Sequence, residues 1–299
     1  MNRVAQHPLK AFATALVAVA LLSIMDAVMK GLVIAIGIVA VSVWRSAANF
    51  AISAALYLPT RRAWPSGSTM RLHLLRSIVV TLIAGLFFWG IGRVPLAQAI
   101  ALTFIAPLIA LLLAALILHE RVGRQSIVGS ITAFAGVVVI VVGQARGAPG
   151  AAVLLGSAAI VGSALCYAIN IVMMRQQALA AKPLEINFFQ SLIVGLLWLC
   201  VAALAGLPKW PAGEWHWIVV ASLLSTGGGL LFSWAYARAN ASYLAVTEYS
   251  AFLWASALGW LIFREHVSLY TLTGAALIVA GSLVAVRRDS PPPAIDAAA

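Results

Sequence analysis

Few side chains in this chain of 299 residues can do chemistry, and the first group of them lies within an apolar run. Ser23, Asp26 and Lys30 are three and four residues apart, so on a helix they share one face. A carboxylate and an ammonium group on one face can hold the two charged ends of a zwitterionic ligand. They can equally form a structural ion pair near the end of the helix. The spacing is compatible with both interpretations.

A second acidic side chain, Glu248, lies in another apolar run with no basic residue one helical turn away. Apolar surroundings disfavour a free carboxylate, so something must compensate for its presence. The carboxylate can bind a proton or an ammonium group of a ligand. The alternative is a hydrogen bond to a neighbouring helix.

Aromatic and amide side chains provide a third group of candidates. Tyr167 and Asn170 are three residues apart on one predicted helix, and Trp89 and Trp234 lie in two further apolar runs. Aromatic faces can stack on an aromatic or cationic ligand. Tryptophan near a membrane interface is more often an anchor. We keep both interpretations for the two tryptophans.

The composition defines the surroundings of these residues. Hydrophobic residues make up 63% of the chain and charged residues only 9%, which is far too few to cover a water-soluble surface. A spanning helix needs about 20 apolar residues, so the runs between charged, Pro and Gly residues predict an all-α membrane protein with ten transmembrane helices. The predicted spans are 9–30, 37–59, 72–92, 95–118, 125–143, 152–175, 184–206, 214–237, 241–263 and 268–287.

The basic residues predict the orientation of these helices. Of the 19 Lys and Arg residues, thirteen fall on the side that holds both termini and five on the other, while Arg45 lies inside a span. Positive residues accumulate on the cytoplasmic side. We therefore expect an inner-membrane protein with both termini in the cytoplasm. The net charge of +11 is explained by these loops and their contacts with lipid headgroups, so we expect no nucleic-acid partner.

An internal repeat is the most informative feature of the sequence. A shift of 145 residues aligns a series of residues without a gap: Phe87 with Phe232, Trp89 with Trp234, Arg93 with Arg238, Glu120 with Glu265, Gly129 with Gly274, and Gly136 with Gly281. The same shift aligns Thr103 with Glu248. Each copy holds five predicted helices, an odd number, so the second copy must enter the membrane upside down. Inverted repeats of this kind are typical of secondary transporters.

The repeated segments carry a family resemblance. Pro95 to Val142 contain a Pro-bearing helix, the tetrapeptide Leu118-His119-Glu120-Arg121 and a Gly-bearing helix, and the second copy repeats this plan through Phe263-Arg264-Glu265-His266. The chain resembles EamA-type, ten-helix exporters of the drug/metabolite transporter superfamily, including the aromatic amino acid exporter. The resemblance covers residues 12–287. It implies a central cavity lined by helices one, three, four, six, eight and nine, and export of amino acids or similar metabolites without ATP.

These expectations define the domain organisation and the predicted site. The first repeat is expected at 1–148, the second inverted repeat at 149–288 and a disordered cytoplasmic tail at 289–299. The expected partners are membrane lipids and a small-molecule substrate such as an amino acid, with the oligomeric state open. The predicted substrate-binding residues are Ser23, Asp26, Lys30, Trp89, Thr103, Tyr167, Asn170, Trp234 and Glu248.

Other roles for the remaining polar residues stay open. Arg45 is expected to reach the headgroups or to be paired. Arg121 and Arg264, beside Glu120 and Glu265, are expected to fix loops or to form ion-paired gates. The paired glycines are expected to let helices pack closely.

An enzyme and a structural or receptor protein are the competing classes. The five histidines are scattered with no catalytic cluster, so we expect no enzyme, no metal and no cofactor. Cys166 and Cys200 lie in apolar runs and are expected to act as small hydrophobic residues.

Overall fold

A computed structural model describes residues 8–60, 64–106, 109, 124–146, 150–236 and 247–286. All regular structure within these ranges is helical, which confirms the predicted all-α class for the described part of the chain. The helices are α1 (Pro8–Ile36), α2 (Ile38–Tyr57), α3 (Gly67–Ile91), α4 (Leu96–Thr103), α5 (Arg124–Arg146), α6 (Ala151–Ala180), α7 (Pro183–Ala205), α8 (Trp215–Tyr236), α9 (Ser250–Phe263) and α10 (Leu269–Val286).

Six of these helices, α1, α2, α3, α6, α7 and α8, are long and apolar enough to cross a membrane. Three shorter apolar helices lie at Ile127–Gly143, Ser250–Phe263 and Leu269–Gly281. Large apolar side chains such as Leu204 and Leu253 remain exposed on the outside of the bundle, where only lipid would cover them favourably. The protein is therefore a multi-pass membrane protein.

Most predicted boundaries lie within a few residues of the observed ones, and α1 is the informative exception. The prediction ended the first helix at Lys30, whereas α1 continues to Ile36 and Lys30 is buried at 4% exposure. A charge within an apolar helix is tolerated because it finds a partner inside the protein. The predicted fourth helix begins as expected, but its later residues, with Pro107, Glu120 and Arg121, lie outside the described residues, as do Arg238 and the tail at 289–299.

Only Gly37 separates α1 from α2. Its φ of +78° lies in a region that residues with a side chain rarely adopt, and nothing lies within 4 Å of where its Cβ would be. Near this link the end of α3 approaches α1, since a Cβ on Gly92 would lie 3.1 Å from Val33. The start of α6 approaches the same region through Gly156 and Arg93. We call this side of the molecule the Gly37 end of the bundle.

The helices pair between the two halves of the chain. Five of the contacts join α1 with α8, α3 with α6, α2 with α7, α5 with α10, and α4 with α9, and α1 also packs on α9 and α3 on α7. Each helix has a counterpart at the same position in the other half of the chain, five helices away. When every helix is replaced by its counterpart, the α1–α8 pair becomes the α6–α3 pair. The same exchange maps each of the other three pairs onto itself. The two halves thus form one interlocked bundle.

Glycines bring the backbones of α5 and α10 into contact. A Cβ on Gly136 would lie 2.5 Å from the Gly274 carbonyl oxygen, and one on Gly274 would lie 2.6 Å from the Gly136 carbonyl oxygen. Farther along, a Cβ on Gly281 would lie 2.5 Å from the carbonyl oxygen of Gly129. The predicted packing role of these four glycines is confirmed.

We expect Gly136→Ala to lower the free energy of unfolding by about 1–3 kcal/mol, because the added methyl group would force α5 and α10 apart. Gly227→Ala in α8 is the matched control, since nothing lies within 4 Å of its Cβ position. Thermal unfolding of the purified variants in detergent measures the difference. Equal stability of the two variants would contradict the close α5–α10 contact.

Candidate functional site

Polar side chains inside the bundle lie at three depths below the Gly37 end. At 1.5 Å per residue, Lys30 lies about 9 Å from the end of α1 and Asp26 about 15 Å. Arg45 lies about 10 Å into α2. Arg76 on α3 and Tyr167 on α6 lie deeper, at about 22–24 Å. We describe the three levels in this order.

The level nearest the Gly37 end is an ion pair between the two halves. The Nζ of Lys30 donates to the carboxylate of Glu265, in the loop after α9, and to the carbonyl oxygen of Val94 at 2.6 Å. Nζ also lies 5.1 Å from the ring centroid of Phe263. Of the two sequence interpretations for Lys30, an ion pair with Asp26 is wrong, because Lys30 pairs with Glu265 instead.

Local backbone geometry positions the Glu265 carboxylate. Arg264 ends α9 in the left-handed conformation with φ 58°, and the Glu265 N–H donates back to the Gly259 carbonyl oxygen at 3.0 Å. The second carboxylate oxygen, Oε2, accepts from the Leu96 N–H at 2.7 Å, at the first residue of α4. A helix N-terminus favours a negative charge. A Cβ on Gly259 would lie 2.9 Å from Oε2, so glycine leaves room for the carboxylate.

A cavity of about 310 Å³ lies beside this ion pair. Its lining includes Lys30, Glu265, Phe263 and the exposed Arg93. The Arg93 guanidinium lies 3.6 Å from the ring centroid of Trp89 and donates to the Trp89 carbonyl oxygen at 2.8 Å. Trp89, near the end of α3, therefore already stacks on a cation from the turn that follows the helix.

The middle level joins α1 and α2. Asp26 is half-buried on α1 and attracts Arg45 electrostatically. The Arg45 guanidinium lies 5.0 Å from the ring centroid of Phe88 on α3, and the Arg45 carbonyl oxygen accepts from the Ser222 hydroxyl of α8 at 3.5 Å. Arg45 thus lies where α1, α2, α3 and α8 meet. Whether Arg45 is paired or reaches the headgroups stays a prediction.

The deepest level is a hydrogen-bond network between α3 and α6. Arg76 donates through Nε to the Asn170 Oδ1 at 2.9 Å and through Nη1 to the Gln177 Oε1. Gln177 also lies 2.6 Å from the Nδ1 of His73, whose Nε2 lies 3.3 Å from the Glu185 carboxylate on α7. His73, Gln177 and Arg76 are all buried. Tyr167 lies close enough to interact electrostatically with both Arg76 and Glu248.

The structure brings some predicted site residues together and separates others. Tyr167, Asn170 and Glu248 belong to the deepest level, and Asp26 to the middle one. Ser23 is buried on α1, Trp234 is 39% exposed on α8, and the Thr103 hydroxyl donates to the carbonyl oxygen of Ile100 on its own helix at 2.7 Å. The nine residues are therefore distributed along the bundle and do not form a single cluster.

Sequence analysis missed Arg76, His73 and Gln177. The third helix was predicted to begin at residue 72, only four residues before Arg76, and Arg76 was counted with the basic residues of the cytoplasmic side. The helix begins at Gly67, after Ser66 caps it by accepting from the Thr69 N–H at 3.3 Å. The Ser66-Gly67-Ser68-Thr69 sequence is a usable N-cap pattern and would have placed Arg76 more than two turns inside the helix.

We expect Arg76→Met to destabilise the protein, because the buried amide oxygens of Asn170 and Gln177 would lose their donor. The cost is about 1–3 kcal/mol for each unsatisfied acceptor. Arg71→Met on the exposed face of α3 is the matched control. Urea or thermal unfolding in detergent measures both, and equal stabilities would show that the network contributes nothing.

Comparison with known proteins agrees with this architecture. The model of the EamA-like transporter family matches the chain twice, over residues 9–142 and 154–287. One solved crystal structure is similar with a TM-score of 0.61 and 21% identity, covering 92% of this chain and 96% of that chain, which supports the fold.

Named relatives are similar over most of their length. The pseudopaline exporter of Pseudomonas aeruginosa (strain UCBPP-PA14) is 28% identical over 244 residues, which cover 78% of this chain and 81% of the exporter. A riboflavin transporter of Rhizobium johnstonii is 27% identical over 217 residues, covering 73% and 70% of the two chains. A riboflavin transporter of Vibrio cholerae is 28% identical over 212 residues, covering 69% and 68%. With two family matches that together span most of its length, this chain belongs to the EamA-like transporter family, within the drug/metabolite transporter superfamily.

Proposed function

We propose that this protein exports amino acids, or related small metabolites, across the bacterial inner membrane by alternating access. The two repeats, at 1–148 and 149–288, are inverted relative to each other, and both termini lie in the cytoplasm. In this orientation the Gly37 end of the bundle faces the periplasm. The protein then acts as a transporter and not as an enzyme.

The helix pairing supports the inverted arrangement. The exchange of α1–α8 for α6–α3, with the other three pairs unchanged, is what a twofold axis between the halves requires. Five helices in each half invert the second half relative to the first when the axis lies in the membrane plane. Such a bundle can close at one end while it opens at the other.

The observation that carries the proposal is the ion pair of Lys30 with Glu265. It joins α1 and the start of α4, in the first half, to the loop after α9, in the second half. An ion pair between two halves that move relative to each other can be made in one state and broken in the other. In the arrangement observed, it closes the end that we assign to the periplasm.

The charged groups below this ion pair favour a small polar substrate. Asp26 and Glu248 can bind an ammonium group, while Arg45 can bind an anion. Amino acids carry both charges, and Tyr167 offers an aromatic face at the same depth as Glu248. The relatives named for pseudopaline and riboflavin widen the substrate class to other small metabolites. Export of drugs is the alternative that the family resemblance raises.

The proposal is tested by flux in proteoliposomes. The purified protein is reconstituted and loaded with labelled amino acids, one at a time, and with riboflavin. We expect release of at least one amino acid well above that of protein-free vesicles. Release of riboflavin alone would support transport and exclude the amino-acid assignment.

We expect Glu248→Gln to reduce flux about ten- to hundredfold while changing thermal stability little. The amide keeps the shape but neither accepts a proton nor attracts a cation, so a charge-assisted contact worth about 1.5–3 kcal/mol is lost. Glu214→Gln, in the turn before α8, is the control. Normal flux with altered stability would make Glu248 a packing residue.

We expect Lys30→Met to open the periplasmic end. In a background without Cys166 and Cys200, the buried Ser23→Cys reports access from the periplasm to an impermeant thiol reagent. Labelling should become about tenfold faster for each 1.4 kcal/mol by which the closed state is destabilised.

The exposed Lys10→Met, on the same helix, is the control. The double variant Lys30→Met/Glu265→Gln should regain the stability lost through an unpaired buried charge, yet remain accessible. If neither variant changes the labelling rate, the ion pair does not close this end.

A further inference from the structure

One face of α2 is polar although the helix is packed against its neighbours. Ser42, Arg45 and Asn49 are three and four residues apart, which places them on one side of the helix. Ser42 is only 2% exposed. We call these three side chains the polar face of α2.

Each member of this face has a buried polar atom that is not hydrogen-bonded within the described part of the chain. These atoms are the Ser42 hydroxyl oxygen, the Arg45 Nε and the Asn49 Oδ1. Buried polar groups are paired in the large majority of cases, because leaving them unpaired is costly. Three such atoms on one face of one helix are therefore available to a polar partner from outside the protein, a ligand or water.

The surroundings of Arg45 define where a ligand would bind. The guanidinium packs over Phe88 at 5.0 Å and is attracted by Asp26 of α1, while the backbone of Arg45 contacts Ser222 of α8. The site is thus bounded by α1, α2, α3 and α8. The helices expected from the family resemblance to line a central cavity do not include α2.

The chemistry of these atoms matches two kinds of ligand group. The planar guanidinium and the Ser42 hydroxyl donate hydrogen bonds, and guanidinium is well suited to binding a carboxylate in two places. The Asn49 Oδ1 and the Asp26 carboxylate accept hydrogen bonds, as an ammonium group requires. Donors and acceptors therefore occur on the same face of α2, with a further acceptor on α1.

We propose that the polar face of α2 binds the carboxylate of the transported molecule through Arg45 and Ser42, with Asn49 and Asp26 facing its ammonium group. This assignment rests on the proposed transport function and restricts its substrates to carboxylate-bearing compounds. Arg45 is then a specificity-determining residue.

A simpler role for Arg45 is to neutralise Asp26, and the two roles predict different results. If Arg45 only balances Asp26, the double variant Asp26→Asn/Arg45→Gln should restore both stability and ligand preference. If Arg45 binds the ligand carboxylate, the double variant should regain stability but not the preference.

The experiment measures binding without flux, by thermal unfolding of the detergent-solubilised protein with matched acids and amides. The probes are phenylalanine with phenylalaninamide and leucine with leucinamide. We expect the wild-type protein to be stabilised by the acids and not by the amides. Arg45→Gln should weaken acid binding about ten- to hundredfold. Arg71→Gln, which removes an exposed arginine of α3, should leave it unchanged.

Milder variants keep the test decisive if Arg45→Gln does not fold. Arg45→Lys retains the charge but lacks the planar donor pair, and Ser42→Ala removes one donor, so both should weaken acid binding with little effect on the amides. Equal stabilisation by acids and amides, an unchanged preference in these variants, or no stabilisation by any acid would overturn the assignment. If the assignment fails but uncharged compounds are still transported, the proposed transport function holds. If acids bind but no compound is transported, the transport function is wrong and the carboxylate site holds.

Discussion

Every charged side chain in the hydrocarbon region must find its partner inside the protein, and this constraint organises the bundle. Lys30 forms an ion pair with Glu265, and the Glu265 carboxylate also accepts a hydrogen bond from the backbone N–H of Leu96. Since these partners come from both halves of the chain, satisfying the charges also holds the halves together. The interior charges thus contribute to architecture and offer sites for chemistry at the same time.

The three levels of the bundle differ in how completely their buried polar groups are hydrogen-bonded by the protein. The Lys30–Glu265 pair and the Arg76 network have their main hydrogen-bonding groups occupied by protein. The polar face of α2 retains buried polar atoms that are not hydrogen-bonded within the described residues. It begins at about the depth of Lys30 and ends above the Arg76 network, with Ser42 about 6 Å and Asn49 about 16 Å along α2. Occupied networks define the resting geometry, while the incomplete one has capacity for a ligand.

Sequence reasoning predicted best the features that follow from the linear pattern of residues along the chain. Apolar runs predicted the helices, and the 145-residue register predicted glycines that do meet between α5 and α10. It failed where the decision depends on a partner far away in the chain. Nothing near Lys30 indicates that Glu265 would neutralise it, so the first helix was ended too early. Nothing near Arg76 indicates Gln177, and a basic residue close to a helix start was taken as a loop anchor.

Gly259 is uncharged, yet it influences the ion pair of Glu265 because it leaves room for the carboxylate. A methyl group at residue 259 would collide with the carboxylate oxygen that binds the Leu96 N–H. The carboxylate is the end of a flexible side chain and could yield slightly to a methyl group, whereas a large side chain would displace it from the Leu96 N–H and from Lys30. In related chains we therefore expect an acid at position 265 to occur together with a small residue at position 259.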